Sequence, residues 1–266
     1  MSEHRITPDE IQSRKQTDKP IVCLTSYTTP SAQIIDPVCD LILVGDSLGM
    51  VLYGLPDTTG VTLDMMIRHG QAVMRGSQNA CVIVDMPFGT YESGVQHALI
   101  NAQKIYKETG CNGVKLEGGQ DMAPMIKTLA DHSIPVMGHI GLLPQSAPQE
   151  GGFKIKGRTE EEVQRLLNDA KAVEDAGAFA LVIEGTIESV SKKISESVSI
   201  PTIGIGASPH CDGQILVTED LLGITPRQPK FVKKYADLQP TIKKAVSTYA
   251  DEVRSHKFPG KDQVYT

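Results

Sequence analysis

The chain has no uninterrupted run of about 18 apolar residues, the length a membrane-spanning helix needs. Its first stretch, MSEHRITPDEIQSRKQTDKP, holds no apolar core of the kind a signal peptide uses. These absences argue against membrane insertion and export, and a cytoplasmic protein is expected. Cysteine is sparse: the five (Cys23, Cys39, Cys81, Cys111, Cys211) are scattered, odd in number and form no Cys-x-x-Cys. Reduced thiols are expected, with no disulfide framework or zinc knuckle. A basic surplus is missing too. With a formal net charge of −6, the electrostatics call for neither nucleic acid nor an acidic membrane. No glycine fingerprint of the dinucleotide-binding or P-loop type follows the first apolar run.

What is present is a repeating hand-over from short apolar runs to polar residues. The 266 residues are 40% hydrophobic and 22% charged, enough for a sizeable core in a soluble globular chain. Apolar, β-type runs fall at residues 21–25, 41–44, 81–84, 113–116, 134–137, 180–183, 201–205 and 215–217. Helical patterns alternate with them at about 30–35, 62–75, 92–108, 121–131, 160–176 and 187–198. Thr7, Pro8 and Glu10 make a capping box for a short helix over 7–15, and 230–257 reads as one or two amphipathic helices. About eight such repeats favour an α/β fold, a (β/α)8 TIM barrel over a doubly wound sheet. The expected organisation is one barrel domain over 1–266, with a short N-terminal helix and C-terminal helices.

The chemistry-bearing residues sit where the runs end. LILVGDSLGM (41–50) stops in Gly45, Asp46 and Ser47; CVIV is followed by Asp85; GVKLE carries Lys115 and Glu117; IPVM leads to His139; ALVI leads to Glu184. Any one of these could be an ordinary turn, or an acid capping the next helix. In a (β/α)8 barrel, however, every strand delivers its C-terminal end to one rim. Four carboxylates with one lysine in one pocket repel and raise one another's pKa values unless something compensates them. A divalent cation does so, and oxygen ligands select a hard ion such as Mg²⁺. For His139, a substrate or water contact and simple packing both stay open. The loop at 144–158 is long, polar and glycine-rich, with Gly151, Gly152 and Gly157 as hinges for a lid.

VGDSLGMVLYG (44–54), DMPFGTY (85–91), GVKLEGG (113–119), GHIGLLPQS (138–146), GGFKIKGR (151–158) and GIGA…DGQILV (204–217) together resemble the 3-methyl-2-oxobutanoate (ketopantoate) hydroxymethyltransferase family. The resemblance runs from about residue 20 to 256, in order. It implies a Mg²⁺-dependent (β/α)8 barrel that transfers a one-carbon unit from 5,10-methylenetetrahydrofolate to 3-methyl-2-oxobutanoate through a Mg²⁺-stabilised enolate. The product is 2-dehydropantoate, on the way to pantothenate and coenzyme A. By motif, Asp46 and Asp85 match metal ligands and contacts of the chelated substrate, and Glu117 belongs to the same metal site. Ser47 and Lys115 match donors to the substrate carboxylate, and Glu184 the general base. The implied partners are a small 2-oxo acid, a folate and further copies of the chain, a homo-oligomer and in many members a homodecamer.

Two stretches depart from the family pattern. Ser26, Tyr27 and Thr28 stand where Ala-Tyr-Asp is common, and Ser208, Pro209, His210 and Cys211 follow the alanine where a glycine is more usual. Neither touches the expected metal or base positions. Two other readings compete. One is a Mg²⁺ barrel making or breaking a carbon–carbon bond in another 2-oxo acid, as in the phosphoenolpyruvate mutase and isocitrate lyase group; the Lys-Lys-Cys-Gly-His type stretch of the lyases is absent. The other is a scaffold that has lost catalysis, against which the intact charged set argues.

Overall fold

The computed structural model describes residues 4–226 and 228–265, which divide into two compact units, the first ending at Val217 and the second beginning at Thr218. The first unit is a closed barrel of eight parallel strands in sequence order. They are β1 (Ile21–Thr25), β2 (Leu41–Val44), β3 (Cys81–Asp85), β4 (Gly113–Glu117), β5 (Val136–Gly141), β6 (Ala180–Glu184), β7 (Thr202–Ile205) and β8 (Gly213–Leu216). Pairing of Ile21 with Gly213 and of Leu24 with Leu216 closes the ring.

Strand side chains alternate between two apolar clusters, as a pleat of period two demands. Ile21, Cys23, Leu41, Leu43, Cys81, Ile83, Met137, Ala180, Val182, Ile203 and Ile215 fill the barrel interior, joined by Ile11 of the N-terminal helix Pro8–Gln12. Ile42, Val44, Val82, Val84, Val114, Leu116, Leu181 and Ile183 face outward, into a larger cluster that includes helix residues such as Met66, Ala98 and Val173. Both faces are therefore apolar, the reason these strands read as continuous runs in the sequence. At the other end of the strands Asp36 ties the frame. Its carboxylate accepts from Ser77 Oγ, Asn79 Nδ2 and the amides of Gln78, Asn79 and Ala80.

Several boundaries differ from those the sequence suggests. β5 begins at Val136, because Pro135 has no N–H to give the ladder, and it runs on through His139 to Gly141. Gly138 sustains it there, since a Cβ would lie 2.4 Å from Val173 of the helix Glu160–Asp175. β8 starts two residues early at Gly213, where a Cβ would meet the Ile21 carbonyl at 2.5 Å. The helix expected from 92 starts only at Val95. Gly94 has φ +120°, and the Glu92 carboxylate is occupied by the Gly89 and Tyr91 amides. A short helix, Leu48–Val51, follows Ser47 and had no periodic signal.

The second unit contains the short helix Thr218–Leu221 and the longer helix Leu238–Arg254, in place of the expected 230–257. Ile242, Val246, Tyr249 and Val253 of the longer helix are exposed, spaced four, three and four residues apart on one face. No helix among the described residues is long and apolar enough to cross a membrane.

Candidate active site

The inward phase that carries Ile83, Met137 and Val182 continues, one layer higher, to Asp85, His139 and Glu184, and on β4 to Lys115 and Glu117. The same alternation that builds the core thus aims the charged side chains into the mouth of the barrel. Register sets the neighbours: Asp85 lies beside Lys115, Glu117 beside His139, and Gly141 beside Glu184. Asp46 and Ser47 follow β2 directly.

The contacts form one chain across the rim. Lys115 Nζ lies 3.2 Å from Asp85 Oδ1 and 3.2 Å from His139 Nδ1. Asp85 Oδ2 accepts the Asp46 amide at 3.0 Å. Glu117 Oε1 faces His139 Nδ1 at 3.5 Å, and Glu184 Oε2 faces His139 Nε2 at 3.3 Å, an ion-pair distance without hydrogen-bond alignment. His139 therefore stands between the two glutamates, and it is buried. Ser47 bonds the Tyr27 hydroxyl at 2.8 Å instead of the charged chain, so it belongs to the rim but to a separate contact. The sequence-predicted residues Asp46, Asp85, Lys115, Glu117 and Glu184 are brought together.

One side chain outside that set completes the cluster. Gln145, buried in the segment after β5, donates from Nε2 to Asp46 Oδ2 at 2.8 Å and to the Met86 carbonyl at 3.0 Å. Its backbone amide donates to Glu117 Oε2 at 3.0 Å, and its Oε1 accepts from the Tyr91 hydroxyl. The loop around it has no periodicity from which such a reach could be read.

Electrostatically the site is frustrated. Burial, then the charges of Asp85 and Glu117, pushes the Asp46 carboxyl well up. Burial also raises Asp85, against the opposing pull of Lys115 and the Asp46 amide. Glu117 goes the other way: burial is outweighed by the hydrogen bond and charge of His139, by Lys115 and by the Gln145 amide. Lys115 is pushed up, since Asp85, Glu117 and Asp46 together outweigh its burial. Burial and Lys115 would lower His139, yet its contacts with Glu117 and Glu184 raise it. Among the described residues no three His, Cys, Asp or Glu side chains converge as a ready-made metal cage. The donor set nevertheless fits a hard divalent cation. Three buried carboxylates supply only oxygen, Asp85 Oδ1 has the Lys115 ion pair but no aligned hydrogen bond, and three buried acids face one lysine.

Comparison with known proteins bears on the family and the fold. A family model described as ketopantoate hydroxymethyltransferase matches residues 5–261. A 3-methyl-2-oxobutanoate hydroxymethyltransferase of Rhizobium rhizogenes is 56% identical over 262 residues, covering 98% of this chain and 96% of the relative. The Brucella suis protein of the same name is 54% identical over 98% of this chain and 95% of its own. Among solved structures, phosphonopyruvate hydrolase aligns with TM-score 0.62 at 11% identity, over 100% of this chain and 92% of the other. A 2,3-dimethylmalate lyase aligns with TM-score 0.62 at 16% identity, over 98% and 89%. At such identities the structural likeness shows the barrel alone. The sequence matches span nearly the whole chain at more than half identity, and the chain belongs to the ketopantoate hydroxymethyltransferase family.

Proposed function

We propose that this protein transfers a hydroxymethyl unit from 5,10-methylenetetrahydrofolate to 3-methyl-2-oxobutanoate, giving 2-dehydropantoate for pantothenate and coenzyme A biosynthesis. The observation that carries the reading is the linked chain Asp46–Asp85–Lys115–His139–Glu184 across the barrel mouth, in a member of this family. Asp46 and Asp85 would hold Mg²⁺, with Glu117 in the same site. Bound there, the ion supplies Lewis-acid polarisation of the oxygens of a 2-oxo acid.

The chain's own residues do the rest. Glu184 takes the proton from C3 of the oxo acid; the C–H electron pair moves into the enolate, whose charge Lys115 faces with a fixed positive group. His139 orients Glu184 from its Nε2 side. Ser47 donates to the substrate carboxylate, exchanging its bond to Tyr27 for that contact. C3 then bonds to the methylene carbon of the folate and water supplies the hydroxyl of the product; the two carbon–nitrogen bonds of that methylene break, and tetrahydrofolate leaves carrying the proton taken by Glu184 and the second proton of the water. The exposed apolar face of the helix Leu238–Arg254 supports a homo-oligomer.

The test is proton exchange at C3 of 3-methyl-2-oxobutanoate in D₂O, followed by NMR with enzyme and Mg²⁺, with and without folate. Enzyme-dependent, chelator-sensitive exchange is expected. Glu184→Gln should retain the metal and the oxo acid while losing about 10²- to 10⁴-fold in exchange and turnover, the usual worth of a general base. No exchange with wild-type enzyme under either condition overturns the substrate assignment, and an active Glu184→Gln enzyme overturns the base.

A further inference from the structure

We propose that Gln145 is a positioning residue for the cation, the side chain that holds Asp46 and Glu117 in place to receive it. The proposal rests on the reading of Asp46, Asp85 and Glu117 as the residues that hold the ion. Gln145 is 2% exposed, although neighbours in its own segment, Gln149 and Phe153 among them, face solvent. Burying a flexible amide is unfavourable unless its polar atoms are all used, and here they are. Both hydrogens of Nε2 are donated, to Asp46 Oδ2 and the Met86 carbonyl, and Oε1 accepts from Tyr91.

The amide has one workable orientation, because the opposite one would set its oxygen against two acceptors. The backbone amide of the same residue holds Glu117 Oε2. Tyr91 closes the circuit, its hydroxyl accepting the Glu117 amide at 3.3 Å. Two carboxylates from different strand ends are therefore gripped by one residue.

A residue that only anchored its loop could do so through Met86 and Tyr91. Two of the four bonds go instead to carboxylates, which repel each other when both are charged and would turn apart if released. Side chains that orient metal ligands in this way are typically worth about 10- to 100-fold in metal affinity.

The experiment titrates metal-free enzyme with Mn²⁺ alone, reading free ion by EPR without oxo acid or folate, and records the melting temperature of each metal-free form. Gln145→Met keeps the length and removes every side-chain hydrogen bond. It should bind Mn²⁺ about 10- to 100-fold more weakly than wild type while melting within a few degrees of it. Tyr91→Phe removes both bonds of the hydroxyl, freeing Gln145 Oε1 and the Glu117 amide while leaving the bond to Asp46, and should weaken binding about 2- to 10-fold, the worth of a hydrogen bond. A folded Gln145→Met that binds Mn²⁺ as wild type does overturns the proposal. Should that variant not fold, Tyr91→Phe decides, and unchanged affinity there overturns it equally. Wild-type enzyme that binds no Mn²⁺ removes the cation reading and the proposal together, a pattern distinct from loss of the Gln145 role alone.

Discussion

Replacing Lys115 by methionine tests the electrostatics of the rim without reference to substrate. The ammonium is 4% exposed, lies 3.2 Å from Asp85 Oδ1, and is the lysine to which Asp46, Asp85 and Glu117 all respond. Methionine keeps much of the volume, so the effect is one of charge. Removing one partner of a buried ion pair costs about 3–5 kcal/mol, because the remaining charge stays desolvated. For a chain of this size that corresponds to a fall in Tm of about 6–20 °C. The pH dependence separates this from a packing defect. Lys115 is raised in the folded state, so its own contribution is constant well below its unfolded pKa. Asp46 and Asp85 are also raised, and without the lysine they rise further. A carboxyl with a raised folded pKa favours folding below its unfolded value and loses that contribution as pH rises through the folded one. The variant should therefore be close to wild type near pH 5 and at its weakest at pH 8, in thermal melts with chelator present. An equal deficit at both pH values, or one below about 1 kcal/mol at pH 8, would refute the argument, being less than a buried pair should give.

The barrel is legible in the sequence because its strands are apolar on both faces and separated by amphipathic helices of regular length. The parity of the site is legible too. Ile83 and Asp85, Lys115 and Glu117, Val182 and Glu184 are each two residues apart, so one alternation serves core and mouth alike. Strand ends are less legible where glycine decides them. Gly138 and Gly213 extend β5 and β8 by admitting the close approach of Val173 and of the Ile21 backbone, contacts that depend on distant parts of the chain. Gln145 is hidden for the same reason: its partners lie 28, 59 and 99 residues away. Asp36, with partners more than 40 residues on, is likewise invisible to local pattern.

Two further substitutions probe opposite ends of the barrel. Asp36→Ala should lower stability by about 3–5 kcal/mol in urea unfolding at pH 7, since several donors lose one acceptor and each unsatisfied one costs about 1–3 kcal/mol before water reaches it. Burial would raise Asp36, but its bonds to Ala80, Ser77, Gln78 and Asn79 hold it below the ordinary range. Its contribution is present above about pH 4, its unfolded value, and lost as pH falls through the folded one, so the two proteins should converge in acid. A gap unchanged down to pH 2 would contradict this. Gly141→Ala acts at the mouth. Gly141 has φ +98°, and a Cβ there would lie 2.3 Å from the Glu184 carbonyl and 2.5 Å from Thr186 Oγ1. The residue next to it in register is Glu184 itself, so relief of the clash must move the backbone that carries the proposed base. The strained backbone alone costs of order 1–3 kcal/mol. The larger effect should be on rate, because displacement of a reacting group by about 1 Å can cost 10²-fold. Turnover should fall at least tenfold while Mn²⁺ affinity changes little, since Glu184 is not among the carboxylates assigned to the ion. A folded Gly141→Ala enzyme with wild-type kcat would show that the position of Glu184 does not set the rate.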